Sequence, residues 1–274
     1  MSVVFDWYEP EMQALLETCP GDPAWGFIQR HFTPGARLLE AGCGSARWVR
    51  FLADRGYKIV GLELNAETVE MVRKVWPDLE VVQGNCEASP FPENSFDGAL
   101  SFGVVEHWVE GPTKPLADLY RVLKPGGKAL VTVPCFNTVR RWKRRFWINE
   151  VFLAPRALAG RLFKGKPKPL SRRDSRYRYA VYPTWGPFFE YRMTQTEFRQ
   201  AVEAAGFEVV EHGPAGQLDG IYHELNPFGL LVGWKNWKFR PSPIALWLNR
   251  RLKGRPYFLP HMQAIVARKP DAGR

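Results

Sequence analysis

Two glutamates, Glu40 and Glu63, each end an apolar run in the first quarter of the 274-residue chain. Glu40 is followed by Gly42 and Gly44. Glu63 comes about 20 residues after this glycine pair, the spacing at which an acidic side chain reaches ribose hydroxyls. A carboxylate at the end of a buried strand attracts a positively charged ligand and repels a pyrophosphate. The two residues therefore predict a site for a cationic ligand that carries a ribose.

The residues around the glycine pair predict a strand, a turn and a helix. In a parallel α/β sheet such a turn lies at the carboxyl edge, where ligands bind, and glycine lets the ligand approach the main chain closely. A dinucleotide site would require a third glycine where this chain has Arg47. S-adenosylmethionine carries a sulfonium, an α-ammonium and no phosphate, so it fits this pattern better than a dinucleotide.

Four stretches within residues 35–135 resemble the core of class I S-adenosylmethionine-dependent methyltransferases of type 11, the group related to ubiquinone and menaquinone methyltransferases. The stretches are Leu39–Ser45, Gly61–Asn65, Gly84–Ala88 with Pro90–Asp97, and Arg121–Gly127. The resemblance implies S-adenosylmethionine as the cofactor, with Glu40 at the methionine ammonium, Glu63 at the ribose and Asn85 with Cys86 around the adenine. The cofactor-binding residues that it implies are Glu40, Gly42, Cys43, Gly44, Glu63, Leu64, Asn85, Cys86, Phe102, Gly103 and Tyr8.

His107, Tyr222 and His223 are the candidate catalytic residues. His107 follows the fourth predicted strand, and an imidazole pKa near neutrality suits a general base. The Glu-His pair occurs in family members with differing chemistry, so a wall or orienting residue is the alternative. Tyr222 and His223 come from a segment predicted to cover the methyl acceptor, and each has a structural role as its alternative.

Other chemistries are disfavoured by what the chain lacks. Phe102-Gly103-Val104-Val105 differs from the Asp/Asn-Pro-Pro-aromatic motif of adenine-amino methyltransferases. Cys135 could suggest a covalent nucleophile, but the companion motifs are absent and a neutral turn cysteine is favoured. The four cysteines have no metal-binding or disulfide spacing, which predicts no metal site and a reducing, cytoplasmic setting.

Strands alternate with helices along the core, which predicts an α/β fold with a Rossmann-like, seven-stranded, mostly parallel sheet and helices on both faces. Strands are expected at 37–41, 58–63, 79–83, 97–102 and 128–133, and helices at 46–55, 66–75 and 115–123. Two inserts are expected to form a largely helical cap. The predicted organisation is 1–34, an N-terminal helical segment over the cofactor; 35–135, the core; 136–193, a basic aromatic insert; 194–212, a core helix and strand; 213–260, the second cap insert; and 261–274, the last strand and tail.

The net charge of +10 is unevenly distributed. Residues 139–178 carry +12 and residues 234–256 carry +7, which leaves −9 for the remainder. Residues 138–163 are predicted to form an amphipathic helix in which Arg140, Arg141 and their basic neighbours surround an apolar face. This pattern suits a lid with solvated charges or contact with a membrane surface.

These features predict an enzyme that methylates a small acceptor, which is bulky, aromatic or lipid-like and either anionic or membrane-held. Two alternatives stay open: an RNA methyltransferase whose basic segments follow phosphates, and a non-catalytic peripheral membrane protein that retains the fold. The start of the chain does not resemble a signal peptide, and no uncharged apolar run approaches the ~20 residues of a membrane span. A cytoplasmic protein, or one bound peripherally at the inner face of the membrane, is expected, and the oligomeric state is not predicted.

Overall fold

The computed structural model describes residues 9–146, 171–173, 176–182, 186–226, 229–235 and 237–271. The strands are β1 (Arg37–Ala41), β2 (Lys58–Glu63), β3 (Glu80–Gln83), β4 (Phe96–Phe102), β5 (Leu123–Pro134), β6 (Ser171–Arg173), β7 (Tyr177–Tyr182), β8 (Gly186–Tyr191), β9 (Glu208–Ala215), β10 (Val232–Lys235), β11 (Lys238–Pro241) and β12 (Met262–Arg268). The helices are α1 (Glu9–Leu16), α2 (Pro23–His31), α3 (Arg47–Ala53), α4 (Ala66–Val75), α5 (Thr113–Val122), α6 (Thr138–Arg145), α7 (Gln195–Ala204), α8 (Gln217–Gly220) and α9 (Pro243–Arg251).

A seven-stranded sheet in the order β3-β2-β1-β4-β5-β12-β9 forms the centre of the fold. The pairs from β3 to β5 are parallel, and β12 runs antiparallel to both β5 and β9. The predicted Rossmann-like α/β sheet is therefore confirmed. β1 pairs with β2 on one side and β4 on the other, which makes its carboxyl end a topological switch point, where open α/β sheets bind ligands.

Helices cover both faces of the sheet because successive residues of a strand point to opposite sides. Leu38 of β1 belongs to an apolar cluster with Trp48 and Leu52 of α3. Its neighbour Leu39 belongs to the cluster on the other face, which includes Leu116 of α5. The two buried layers hold the strands in register and thereby fix the positions of the strand ends.

Local capping sets where two core helices begin. Asn65 Oδ1 accepts from the Glu67 N–H at 3.0 Å at the start of α4. Thr194 and Glu197 form a reciprocal capping box at the start of α7, as their spacing predicts.

The turn Lys124–Gly127 lies inside β5, where it interrupts the regular pairing of β5 with β4. The sequence predicts this turn before the strand instead.

The first insert contains more strand than the expected helical cap. β6, β7 and β8 form a three-stranded antiparallel sheet, whereas the Arg- and Tyr-rich sequence of residues 171–193 predicts an ordered loop near the cleft. Tyrosine, valine and phenylalanine favour strands, but the many arginines between them obscure this preference in the sequence. The part of the predicted 138–163 helix that follows residue 146 lies outside the described residues. In the described ranges, no helix combines the length and the apolar character needed to cross a bilayer.

Candidate active site

A cleft of about 940 Å³ opens at the carboxyl ends of β1, β2 and β4. The predicted site residues that line it are Glu40, Gly42, Cys43, Gly44, Glu63, Leu64, Asn85, Cys86, Phe102, Gly103, His107 and His223. Tyr8 lies outside the described residues. The N-terminal segment also contributes to the lining through Leu15, Thr18 and Asp22. The fold thus brings the separate strand-end motifs to one place.

The glycine turn after β1 is packed tightly against its surroundings. The N–H groups of Gly42 and Cys43 both donate to Leu62 O, at 2.8 and 2.9 Å. Gly42 has a φ of 79°, and a Cβ added there would lie 2.7 Å from Val104 Cγ2. Any other residue at this position would meet both backbone strain and a steric clash. This part of the cleft is therefore lined by bare main chain, which a ligand can approach closely.

Glu40 is a buried carboxyl at the end of β1. Its Oε2 has no hydrogen-bond partner within the described residues. Burial raises the pKa of Glu40 to about 8, against the opposing effects of Arg47 and the Val49 backbone. A buried carboxyl oxygen without a partner is costly, and a cationic ligand group in the cleft would relieve that cost.

Glu63 is held by backbone hydrogen bonds at the end of β2. Oε2 accepts from the Gly44 N–H and Oε1 accepts from the Asn65 N–H, both at 2.9 Å. Each carboxylate oxygen can accept more than one hydrogen bond, so both retain capacity for ligand hydroxyls. The carboxylate therefore fixes the glycine turn and is available to bind a ribose.

Asn85 and Cys86 lie beyond β3 on the same edge of the sheet. Asn85 Oδ1 accepts from the Glu87 N–H at 2.9 Å. This hydrogen bond closes a local turn and fixes the orientation of the Asn85 side chain. Burial raises the pKa of the Cys86 thiol to about 12 and that of Cys43 well above its usual value. Both cysteines are therefore neutral thiols, which agrees with a lining role rather than a nucleophilic one.

Comparison with known proteins agrees with this geometry. Residues 39–131 match the methyltransferase domain family Methyltransf_11. This part of the chain is a class I, S-adenosylmethionine-dependent methyltransferase domain. The buried acid Glu40 with its unpartnered Oε2, the bare main chain at Gly42 and the anchored Glu63 fit S-adenosylmethionine as the methyl donor.

Three relatives show how far the similarity reaches. A probable S-adenosylmethionine-dependent methyltransferase of Mycolicibacterium smegmatis is 28% identical over 65% of this chain and 54% of its own length. Demethylmenaquinone methyltransferase of Renibacterium salmoninarum is 36% identical over 36% of this chain and 41% of its own length. The crystal structure of the PH0226 protein of Pyrococcus horikoshii has a TM-score of 0.57 at 12% identity, over 90% of this chain and 88% of that one, and shows the fold alone. The matches thus span only about half of the curated relatives' length.

His107 lies in the cleft wall of the methyltransferase domain, in the turn after β4. Its Nδ1 lies 2.6 Å from Phe189 O, so this nitrogen carries the proton and donates to the carbonyl. Burial lowers the pKa of His107, and the backbone contacts at Phe189 and Gly103 oppose the shift. A neutral imidazole held in this way is compatible with both sequence-based interpretations, and its role stays a prediction.

His223 reaches the cleft from the second insert. Its ring stacks on that of His261, with centroids 4.0 Å apart. Burial, together with the charge of Arg140, lowers the pKa of His223 to about 4. The residue therefore faces the cleft as a neutral imidazole, and its catalytic role stays a prediction.

Tyr222 is not among the residues that line the cleft, and its catalytic role stays a prediction. Its ring packs against Trp234 and Phe239, with centroids 5.9 and 5.3 Å apart. Consecutive residues of a helical turn point in different directions, which gives Tyr222 and His223 different neighbours. Tyr222 supports the β10–β11 hairpin from behind.

Several cleft residues were not predicted from the sequence. The aromatic residues among them are Trp48, Trp108, Trp234, Trp237 and Phe239, and Asn249 joins them from α9. The Trp-rich composition of residues 234–247 indicated an aromatic cap, but not which rings face inward. Asp219 also lines the cleft, and burial with the nearby charge of Asp22 raises the pKa of Asp219 to about 6.

Arg140 was predicted on the basic outer face of the 138–163 helix, but the structure buries it. Its Nε donates to Glu224 Oε1 at 2.6 Å, and its guanidinium also contacts Cys135 O and His261 Nδ1. The spacing of Trp142 and Phe146 predicts that both lie on the apolar face of this helix, but both are exposed. Periodicity alone could not reveal that one arginine of this basic run has a buried acidic partner 84 residues away.

Gly42→Ala is expected to weaken S-adenosylmethionine binding at least tenfold, which corresponds to about 1.4 kcal/mol. The new Cβ would either displace Val104 or push the turn into the cleft. Calorimetric titration measures the affinity, and thermal unfolding measures the stability of the free protein.

Gly35→Ala is the matched control for this change. Gly35 also has a positive φ of 88°, but nothing lies within 4 Å of its added Cβ. This variant carries the backbone cost of about 1–2 kcal/mol without altering the cleft. Equal affinities for the two variants would contradict a role for Gly42 in ligand approach.

Proposed function

We propose that this protein transfers the methyl group of S-adenosylmethionine to a small acceptor that is bulky and aromatic or lipid-like. One observation carries the proposal: a single cleft runs from the strand-end acids Glu40 and Glu63 to the aromatic side chains of the β10–β11 hairpin. Cofactor and acceptor would then meet inside one cavity, as methyl transfer requires.

One end of the cleft would bind the methyl donor, and the other end would bind the acceptor. S-adenosylmethionine, when bound, supplies an electrophilic methyl group on a positively charged sulfur. Glu40, Glu63 and the glycine turn hold the cationic donor, and Asn85 with Cys86 frames the adenine. The remaining task is to hold an acceptor atom in line, about 3–3.5 Å from the methyl group, and to exclude water.

The acceptor end favours an apolar or aromatic compound. Trp108, Trp234, Trp237 and Phe239 line this end, and pockets for bulky ligands are typically lined by such side chains. The name of the Renibacterium relative, demethylmenaquinone methyltransferase, makes quinone-like aromatic compounds the first class to test. A hydroxyl or carbon acceptor would require a base, and the neutral imidazoles of His107 and His223 are the candidates.

A methyl-transfer assay with tritiated donor tests the proposal on fractionated lipid, metabolite and RNA pools. Incorporation into the lipid or metabolite pool supports it. Incorporation into RNA alone would favour the nucleic-acid alternative, and donor binding without transfer to any pool would favour a non-catalytic protein.

Glu63→Ala is expected to abolish transfer in this assay and to weaken S-adenosylmethionine binding at least tenfold, or about 1.4 kcal/mol. The change removes the acceptor of the Gly44 and Asn65 amides, at about 0.5–1.5 kcal/mol each, together with the ribose contact. Glu80→Ala, at an exposed acid that starts β3, should leave both properties unchanged. Calorimetric titration of the folded variants measures this, and unaltered affinity in Glu63→Ala would contradict the assignment.

A further inference from the structure

The outward face of α9 is apolar. Ile244, Leu246 and Trp247 are 61%, 41% and 50% exposed. The opposite face of the helix packs Ala245 and Leu248 into the apolar cluster of the second insert. A surface helix ordinarily buries one apolar face and presents a polar one. Because α9 is apolar on both faces, its outward residues mark an interaction surface.

Arginines flank this apolar face. Arg250 and Arg251 are exposed, and the Arg251 guanidinium lies 5.6 Å from the ring centroid of Trp247. Residues 229–256 contain seven lysines and arginines and no acidic residue. The charge of this segment is therefore complementary to an anionic surface.

One further exposed side chain extends the patch. Leu230 is 79% exposed, and the next residue, Leu231, accepts a hydrogen bond from the Ser242 N–H at the start of α9, at 2.8 Å. This contact brings Leu230 close to the amino end of the helix. The residues that we call the α9 surface are Leu230, Ile244, Leu246, Trp247, Arg250 and Arg251.

We propose that the α9 surface docks this protein on an anionic phospholipid bilayer. Tryptophan and aliphatic side chains partition into the boundary between headgroups and acyl chains, while arginines bind the anionic headgroups. A nucleic acid would use the arginines and Trp247, but its phosphate backbone offers no counterpart to the exposed Leu230, Ile244 and Leu246. The combination therefore favours lipid. None of the residues of this surface belongs to the segment 138–163, where the sequence predicted membrane contact.

Docking through α9 would set the orientation of the cleft. Asn249 of the same helix lines the cleft, as do Trp234 and Trp237 of the adjoining hairpin. The acceptor end would then open close to the bilayer, within reach of a lipid-like compound dissolved in it. Lipid docking itself does not require methyl transfer, so the two proposals can fail separately.

Co-sedimentation of the full chain with vesicles tests this docking. We expect binding to phosphatidylglycerol/phosphatidylcholine vesicles but not to phosphatidylcholine alone, and a decrease as salt screens the charges. Arg250→Gln/Arg251→Gln should lower the partition coefficient about thirtyfold. Ile244→Ser/Trp247→Ser should lower it at least about tenfold. Both pairs are exposed, and S-adenosylmethionine binding measured in the same samples verifies their fold.

Control variants carry comparable changes at exposed positions outside the α9 surface. Lys58→Gln/Lys74→Gln removes two exposed charges from β2 and α4, and Val210→Ser removes an exposed apolar side chain from β9. Both variants should co-sediment with vesicles as the unaltered chain does. Three results would overturn the proposal: no binding to anionic vesicles, equal binding by the α9 variants and controls, or a self-association that the α9 variants abolish and vesicles do not affect. Loss of RNA binding in these variants without any lipid binding would assign the surface to nucleic acid instead.

Discussion

Replacing Glu40 with glutamine is expected to abolish a proton release that accompanies S-adenosylmethionine binding and to weaken binding about 10- to 100-fold, the effect of losing one charge-assisted contact. Burial raises the pKa of Glu40 to about 8 in the free protein, so the carboxyl is mostly protonated at pH 7. A cationic ligand favours the carboxylate and lowers this pKa. Affinity should therefore rise with pH up to about 8 and level off above it.

Calorimetric titration in buffers of different ionisation enthalpy counts the released protons and follows the affinity between about pH 6 and pH 9. Glu17→Gln is the control, because Glu17 also lines the cleft but its pKa is lowered by Lys238, so it stays ionised in this range. This variant should keep the proton release. A pH-independent affinity without proton release in the unaltered protein would contradict the role given to Glu40.

Reduced stability cannot explain the expected loss of affinity in Glu40→Gln. The raised pKa of Glu40 means that the folded free protein binds this proton more tightly than the unfolded chain does. The resulting contribution to stability is complete below the ordinary pKa of 4.5 and is lost as the pH rises through about 8. Glutamine cannot ionise, so above that pH the variant should be more stable than the unaltered protein.

The cofactor end of the site was predictable because its residues lie within short motifs. Glu40, Gly42 and Gly44 occupy one turn, and Glu63 ends the very next strand. A parallel sheet brings the carboxyl ends of its strands to one edge, so local patterns and the order of the elements were enough to bring these residues together.

The acceptor end depends on contacts between distant parts of the chain. Trp237 and Asn249 reach the cleft from the second insert, and no local periodicity encodes that placement. The same limit explains Tyr222 and His223, whose neighbouring positions did not indicate which side chain faces inward. The sheet of β6 to β8 was missed because the arginines among its tyrosines suggested an ordered loop near the cleft.

The buried ion pair between Arg140 and Glu224 could not be predicted from the sequence either, although we expect it to affect stability. Burial alone would raise the pKa of the Glu224 carboxyl, but Arg140 and Lys143 lower it to about 2. Arg140→Met is therefore expected to decrease the free energy of unfolding by about 3–5 kcal/mol, because it leaves a buried carboxylate without its main partner. Urea denaturation at pH 7 measures this loss.

The pH dependence and two further variants separate this pair from general packing. The stability that the pair supplies through Glu224 is complete above the ordinary pKa of 4.5 and is lost as the pH falls toward about 2, so the difference between Arg140→Met and the unaltered protein should shrink in acid. The double variant Arg140→Met/Glu224→Met should recover much of the loss, because it removes both charges together. Arg141→Met, at the exposed neighbouring position, should change stability by no more than about 0.5 kcal/mol. An Arg140→Met protein as stable as Arg141→Met would show that the buried pair does not hold α6 to the second insert.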